Sequence, residues 1–284
     1  MTPGANAGTP SAGAGTSMGV LPLGDGKISL TPQTGDVMVC SLNFPSQGGA
    51  QGDGPWIDSG AGTWNPSQKI AVQGSVLWSQ AHYTATVQGS IRTITTNDLP
   101  VNQPTGAFPI APSDPAWAYD HNPNHIAAQS LTYTLPAEPT PAAQPTCLHG
   151  GPIGVTLDGV VLFDALDAAG RDAVAHEVQD QCEGHPEMSS MYHYHAISPC
   201  LLKSATGSST LVGYALDGYG IYVERTASGA LLTDSDLDAC HGRVSTVNWD
   251  GKQVSMYHYD ATAAYPYTIG CFHGTPVATG GPPR

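Results

Sequence analysis

VTLDGVVLF (155–163) returns in altered form as YALDGYGIY (214–222), and the reading of the fold turns on that echo. Each stretch sets Leu-Asp-Gly between two short apolar runs. Asp-Gly supplies the positive φ that a tight hairpin needs, so each reads as strand, turn, strand. Two further landmarks follow in the same order. DQCEGHPEM (180–188) is answered by LDACHGRV (237–244), and MYHYH (191–195) by MYHYD (256–260). The offsets are 59 residues at Leu-Asp-Gly, 58 at the first cysteine and 65 at Met-Tyr-His-Tyr. Two units of roughly 60 residues are too few for a solenoid. The expectation is therefore a mainly β domain with short helices, duplicated about a pseudo-twofold axis, loop-rich and stapled by disulfides.

Upstream, KIAVQGSVLW (69–78) and YTATVQGSIRTITT (83–96) are rich in β-branched residues and read as strands. They belong to an N-terminal β layer over 20–135. LPAEPTPAAQPT (135–146) reads as a surface connector, because proline removes donors and disfavours helix in the residue before it. The repeated units span 147–205 and 210–276, within one domain of 20–277. Residues 1–19, built of small side chains with nothing to bury, read as a flexible tether left after removal of an export signal, and 278–284 as a disordered tail. Helix is expected only over RDAVAHEVQDQ (171–181), for three turns on Val174 and Val178, and over LLTDSDLDAC (231–240), with Thr233 as cap and Leu232 and Leu237 as a staple.

Composition excludes several partners. Only 9 Lys and Arg face 23 Asp and Glu, a formal charge of −14, so the chain lacks the cations that nucleic acid or an anionic membrane surface requires. No apolar run approaches the ~18 residues of a membrane span. The 34 Gly and 24 Pro argue against a helical bundle, while 40% apolar residues argue against general disorder. Six cysteines point to an oxidising compartment, periplasmic or secreted, where the tether could carry a lipid anchor. If the two units are alike, Cys182–Cys200 mirrors Cys240–Cys271 and leaves Cys40 for Cys147. This is an argument from symmetry among fifteen arrangements.

Histidine carries the strongest chemical signal. In Tyr192-His193-Tyr194-His195 strand alternation puts both imidazoles on one face and both phenols on the other. Two histidines at i, i+2 can reach one ion, and imidazole suits zinc and copper. Meeting about the pseudo-twofold axis, His193, His195, His258 and Asp260 would form a three-histidine, one-carboxylate set. His185 is a further candidate ligand, and His241 stands beside the corresponding cysteine of the second unit. Other motifs are weaker. Gly15-Thr16-Ser17-Met18-Gly19 has the hydrolase-elbow spacing but lies in the tether. His149-Gly150-Gly151 is more simply a turn. His176-Glu177-x-x-Asp180 lacks the second histidine of a zincin and reads as a solvated helix face. Asp234-x-Asp236-x-Asp238 lacks the glycine and terminal glutamate of a calcium loop.

MYHYH, the preceding DQCEGHP, the Leu-Asp-Gly hairpins, AYDHNPNHIAAQ (118–129) and AYPYTIGCFHG (264–274) together resemble the bacterial YHYH-protein family, from about Gly106 to Pro276. The resemblance implies an exported β-rich domain and no particular reaction. Three functions remain in view. The first is an exported metal-binding protein with copper or zinc at His193 and His195; as an enzyme it would be a zinc hydrolase or a copper oxidoreductase. The second is a disulfide-stapled module that binds a small molecule, a surface polysaccharide or a protein. The third is a calcium-stabilised structural domain.

Overall fold

The structure, a computed structural model, describes residues 19–44 and 52–278. The tether assigned to 1–19 and the tail assigned to 278–284 lie outside the described residues except for Gly19 and Ala278, and with the tether goes most of the Gly15–Gly19 motif.

The centre of the molecule is an eight-stranded sheet. Its strands are β1 (Pro152–Thr156), β2 (Val161–Phe163), β3 (Gly184–Pro186), β4 (Tyr192–Tyr194), β5 (Ser209–Ala215), β6 (Gly220–Glu224), β7 (Gly242–Trp249) and β8 (Lys252–Asp260). They lie in the order β3-β4-β2-β1-β5-β6-β8-β7. Outward from the β1–β5 seam, each half runs antiparallel, parallel, antiparallel. At the seam itself Val155 pairs with Tyr214, flanked by Gly154 with Ala215 and Thr156 with Gly213. Both seam glycines permit this approach: a Cβ on Gly154 would lie 2.7 Å from Tyr214 O, and one on Gly213 would lie 2.8 Å from Val155 O. Each is also the site of a register shift against the next strand, between Pro152 and Gly154 and between Leu211 and Gly213.

The Leu-Asp-Gly turns join β1 to β2 and β5 to β6. Of each Asp-Gly pair only the glycine, Gly159 or Gly218 at φ 91°, is left-handed. The aspartates serve the core instead. Tyr194 donates its hydroxyl to Asp158 (3.1 Å) and Tyr259 to Asp217 (2.5 Å). The alternate phenols do the same one loop away, Tyr192 to Asp180 (2.8 Å) and Tyr257 to Asp238 (3.1 Å). Asp180 and Asp238 each also accept two backbone N–H groups of the turn that follows, from Cys182 and Gly184 and from Cys240 and Gly242. Burial, reinforced by these carboxylates, pushes the hydroxyls of Tyr192, Tyr194 and Tyr259 far above the usual phenol range.

All six cysteines are paired, as Cys40–Cys147, Cys182–Cys200 and Cys240–Cys271. The first closes the longest loop, with a separation of 107 residues, for which chain entropy alone is worth about 4–5 kcal/mol. Within the N-terminal part of the chain, Tyr83–Gln88, Ile91–Thr96 and Leu131–Pro136 form one of several small sheets, this one three-stranded. It is tied to both halves of the central sheet. Asp98 Oδ1 accepts from Val161 N, while buried Arg92 donates to Tyr214 Oη and makes a bidentate ion pair with Asp250.

Four local expectations are corrected. KIAVQGSVLW makes only isolated bridges, Val72 with Asp180 and Val76 with Thr105. The proline-rich connector is partly strand: Pro141–Thr146 pairs with Phe272–Gly274, at an edge where missing proline donors are tolerated. The helix expected over 171–181 is one turn, α1 (Ala173–His176), capped by Asp172. Its residues are buried on every side rather than along one stripe, and the chain leaves extended at Glu177. The second is a single 3-10 turn, Asp234–Asp236, where Asp236 accepts from the Thr233 backbone N–H and Leu232 and Leu237 are buried.

Candidate metal centre

Antiparallel pairing of β3 with β4 sets His185 directly opposite His193, and alternation along β4 brings His195 onto the same face. The imidazoles of His193 in β4 and His195, one residue past its end, meet Nε2 to Nε2 at 3.1 Å. Glu177, delivered by the extended exit from α1, places Oε2 3.1 Å from both His185 Nε2 and His195 Nε2. Three imidazoles therefore converge in a buried space with Glu177 against two of them, and His193 and His195 are each 1% exposed.

Hydrogen bonding does not account for this convergence. Glu177 Oε2 and both ring nitrogens of His185 are buried without a hydrogen-bond partner, because the close approaches are poorly aligned. A tetrahedral ion with bonds of 2.0–2.1 Å has donor-to-donor edges of about 3.3 Å, close to the 3.1 Å of the Glu177–His185, Glu177–His195 and His193–His195 approaches. The outer nitrogens are directed at backbone carbonyls, His195 Nδ1 at Asp164 O and His193 Nδ1 at Met191 O, 3.4 Å away. A proton held on Nδ1 leaves the Nε2 lone pair facing the centre, as ligation requires. Phe163 stacks on His193 at 4.0 Å and closes one side.

The electrostatics follow from these neighbours. Burial pushes the Glu177 carboxyl up, but His185 and His195 outweigh it and hold the group well below the usual range. Asp120, from the AYDHNPNHI segment, is raised by burial; His185 opposes the shift and Glu177 reinforces it.

His258 and Asp260 are not part of this cluster. β4 and β8 are second and seventh in the sheet, five strand spacings or ~24 Å apart. The composite of His193, His195, His258 and Asp260 is thus not formed, because the two halves meet through β1 and β5. His258 and Asp260 instead join Glu224 of β6 in a second buried group. His258 Nε2 lies 3.5 Å from Glu224 Oε2 and 3.4 Å from Asp260 Oδ2. Burial, opposed by His258 and aided by Glu224, raises the Asp260 carboxyl to about 7.

His241 belongs to neither group. It takes the left-handed position (φ 69°) that Glu183 (φ 58°) takes in the first half, and its Nε2 meets Thr262 Oγ1 at 3.0 Å. The counterpart of His185 is Arg243, which faces His258 as His185 faces His193. A third grouping, Cys40, Cys147 and His149, has its two sulfurs joined to each other.

Two participants were missed in the sequence, Glu177 and Glu224. Glu177 had a signal in His176-Glu177-x-x-Asp180, but none of the three lies on a solvated face. His176 is buried against Asp25, 2.9 Å from its Nε2, while Asp180 receives Tyr192. Glu224 had only its place closing an apolar strand.

No curated protein and no solved structure matches the chain. Residues 132–234 match the model of one family, described as YHYH protein. That span is narrower than the resemblance from Gly106 to Pro276. It holds Glu177, His185, His193, His195 and Glu224 and stops short of His258 and Asp260. In this segment the chain is similar to the YHYH protein family.

Proposed function

We propose that this is an extracytoplasmic metal-binding protein in which His185, His193, His195 and Glu177 hold one zinc or copper ion. The observation that carries the reading is a buried gathering of donors: His185, His193 and His195 group together, Glu177 Oε2 lies 3.1 Å from His185 Nε2 and His195 Nε2, and Glu177 Oε2 and both His185 nitrogens lack any hydrogen bond. Buried polar atoms without partners cost about 1–3 kcal/mol each, more when charged, and an ion at their centre would satisfy all four donors together. Three imidazoles and one carboxylate suit zinc, and copper binds the same donor types.

Four protein donors complete a tetrahedral shell. A catalytic ion needs an open position for water or substrate. The closed shell supports a role in holding or carrying the ion, or in bracing β3, β4 and α1 with it, over hydrolytic or oxidative catalysis. Three disulfides support an oxidising compartment. Among the described residues no helix is long and apolar enough to cross a membrane.

Elemental analysis of protein purified without added metal, then stripped and reloaded with zinc or copper, tests the reading. One equivalent per chain is expected at this centre, lost in His193→Ala. Absence of uptake, or unchanged uptake by His193→Ala, overturns it.

A further inference from the structure

We infer a second and separate cation site in the other half of the sheet, where Glu224, His258 and Asp260 hold a divalent ion that prefers oxygen donors, of the manganese(II) type. The inference does not depend on the first centre, whose histidine strand β4 lies five strand spacings from β8 and which shares no residue with this one.

His258 and Asp260 are fully buried, and Glu224 is 8% exposed. A buried carboxylate is normally bonded to a donor or paired with a charge. Here both oxygens of Asp260 and Nε2 of His258 lack a hydrogen-bond partner. The nearest approaches to Nε2, 3.4 Å from Asp260 and 3.5 Å from Glu224, are long for hydrogen bonds and close to the donor-to-donor edges of a metal shell. His258 Nδ1 faces Met256 O at 3.1 Å, which leaves the Nε2 lone pair directed inward. Ser245 Oγ donates to Glu224 Oε1 at 3.1 Å, steadying that carboxylate and leaving Oε2 toward the cluster.

The donor set decides the class of ion. One imidazole and two carboxylates carry two negative charges, against one for three imidazoles and a carboxylate. Oxygen-rich sites favour harder ions, and imidazole-rich sites favour copper and zinc. Arg243 adds a second distinction. It occupies the place of His185 and sets its guanidinium Nε 3.7 Å from Glu224 Oε2 at the partly exposed rim. It supplies no ligand and partly neutralises the site, so the ion keeps positions for water and is held more weakly than at the first centre.

The test is manganese uptake by the full chain, stripped of metal and titrated with Mn²⁺ alone, read by electron paramagnetic resonance and elemental analysis. One equivalent is expected in the wild type. It should persist in His193→Ala and weaken at least tenfold in the near-isosteric Asp260→Asn. No uptake by the wild type, unchanged affinity in Asp260→Asn, or loss in His193→Ala in its place overturns the proposal. Should Asp260→Asn not fold by circular dichroism, anomalous scattering at the manganese edge from wild-type crystals grown with Mn²⁺ decides: a peak beside His258 supports the site, and its absence overturns it. The first centre is judged separately, by zinc or copper retention in His193→Ala.

Discussion

The two halves of the central sheet share strand order, pairing senses, turn hydrogen bonds and four tyrosine–aspartate contacts, yet they differ where chemistry would occur. In the first half three imidazoles converge and Glu177 meets two of them. In the second, Arg243 stands in the place of His185, Asp260 in that of His195, and the glutamate comes from a strand rather than from the end of α1. One scaffold thus supports two donor sets. The parts that hold the backbone are alike, because changing them would cost the fold. The residues aimed into the two buried groups are free to differ.

The largest expected effect comes from exchanging those residues. His185→Arg gives the first centre the second centre's cation and should weaken zinc or copper binding at least 100-fold, read by competition with a chromophoric chelator. The double change Arg243→His with Asp260→His should create a second zinc equivalent. If it does not, the halves differ by more than their donor atoms.

Next in size are the seam glycines. Gly154→Ala and Gly213→Ala each force a Cβ against a carbonyl oxygen of the facing strand. Overpacking of this kind costs about 1–3 kcal/mol, and the two losses should be alike in denaturant unfolding. Unequal losses would show that the seam is less symmetrical in energy than in geometry.

Smaller effects belong to the phenols. Tyr194→Phe and Tyr259→Phe remove the donor to Asp158 and to Asp217, at a cost of about 1–2 kcal/mol each. Metal uptake should be unchanged, because the phenols lie on the opposite face from the imidazoles. Loss of metal in Tyr194→Phe with the fold retained would contradict that separation.

The smallest effect concerns His241, which has a glutamate as its counterpart. Burial holds its pKa down to about 3, despite Asp234 at 3.7 Å. Between the ordinary value near 6.5 and about 3 the unfolded chain binds a proton that the folded one does not. Its contribution to stability is therefore full above 6.5 and falls as the solution is acidified. At pH 5.5 the loss amounts to about 1 kcal/mol. His241→Asn, which tolerates the left-handed backbone, should lose less stability than wild type between pH 7 and pH 5.5 in urea titrations. An unchanged difference would mean that His241 titrates normally.

Much of this was legible in the chain. The order of the landmarks suggested the disulfide arrangement that the structure contains, because like units place like cysteines. The alternation in Tyr192–His195 assigned imidazoles and phenols to opposite faces, since strand parity is a local property. Less legible were α1, shortened because its surroundings bury every side, and Glu177, whose proximity to a histidine in sequence said nothing of the three it meets in space.

The sequence by itself determined the repeated order of elements, the turns and the faces, all consequences of local backbone geometry. Tertiary structure decided which edges meet. Strand pairing is a long-range choice that residue parity leaves open, and pairing β1 with β5 put the YHYH strand and its counterpart far apart. That one choice turned a single expected centre into two buried groups, and packing then brought Glu177 to one and Glu224 to the other.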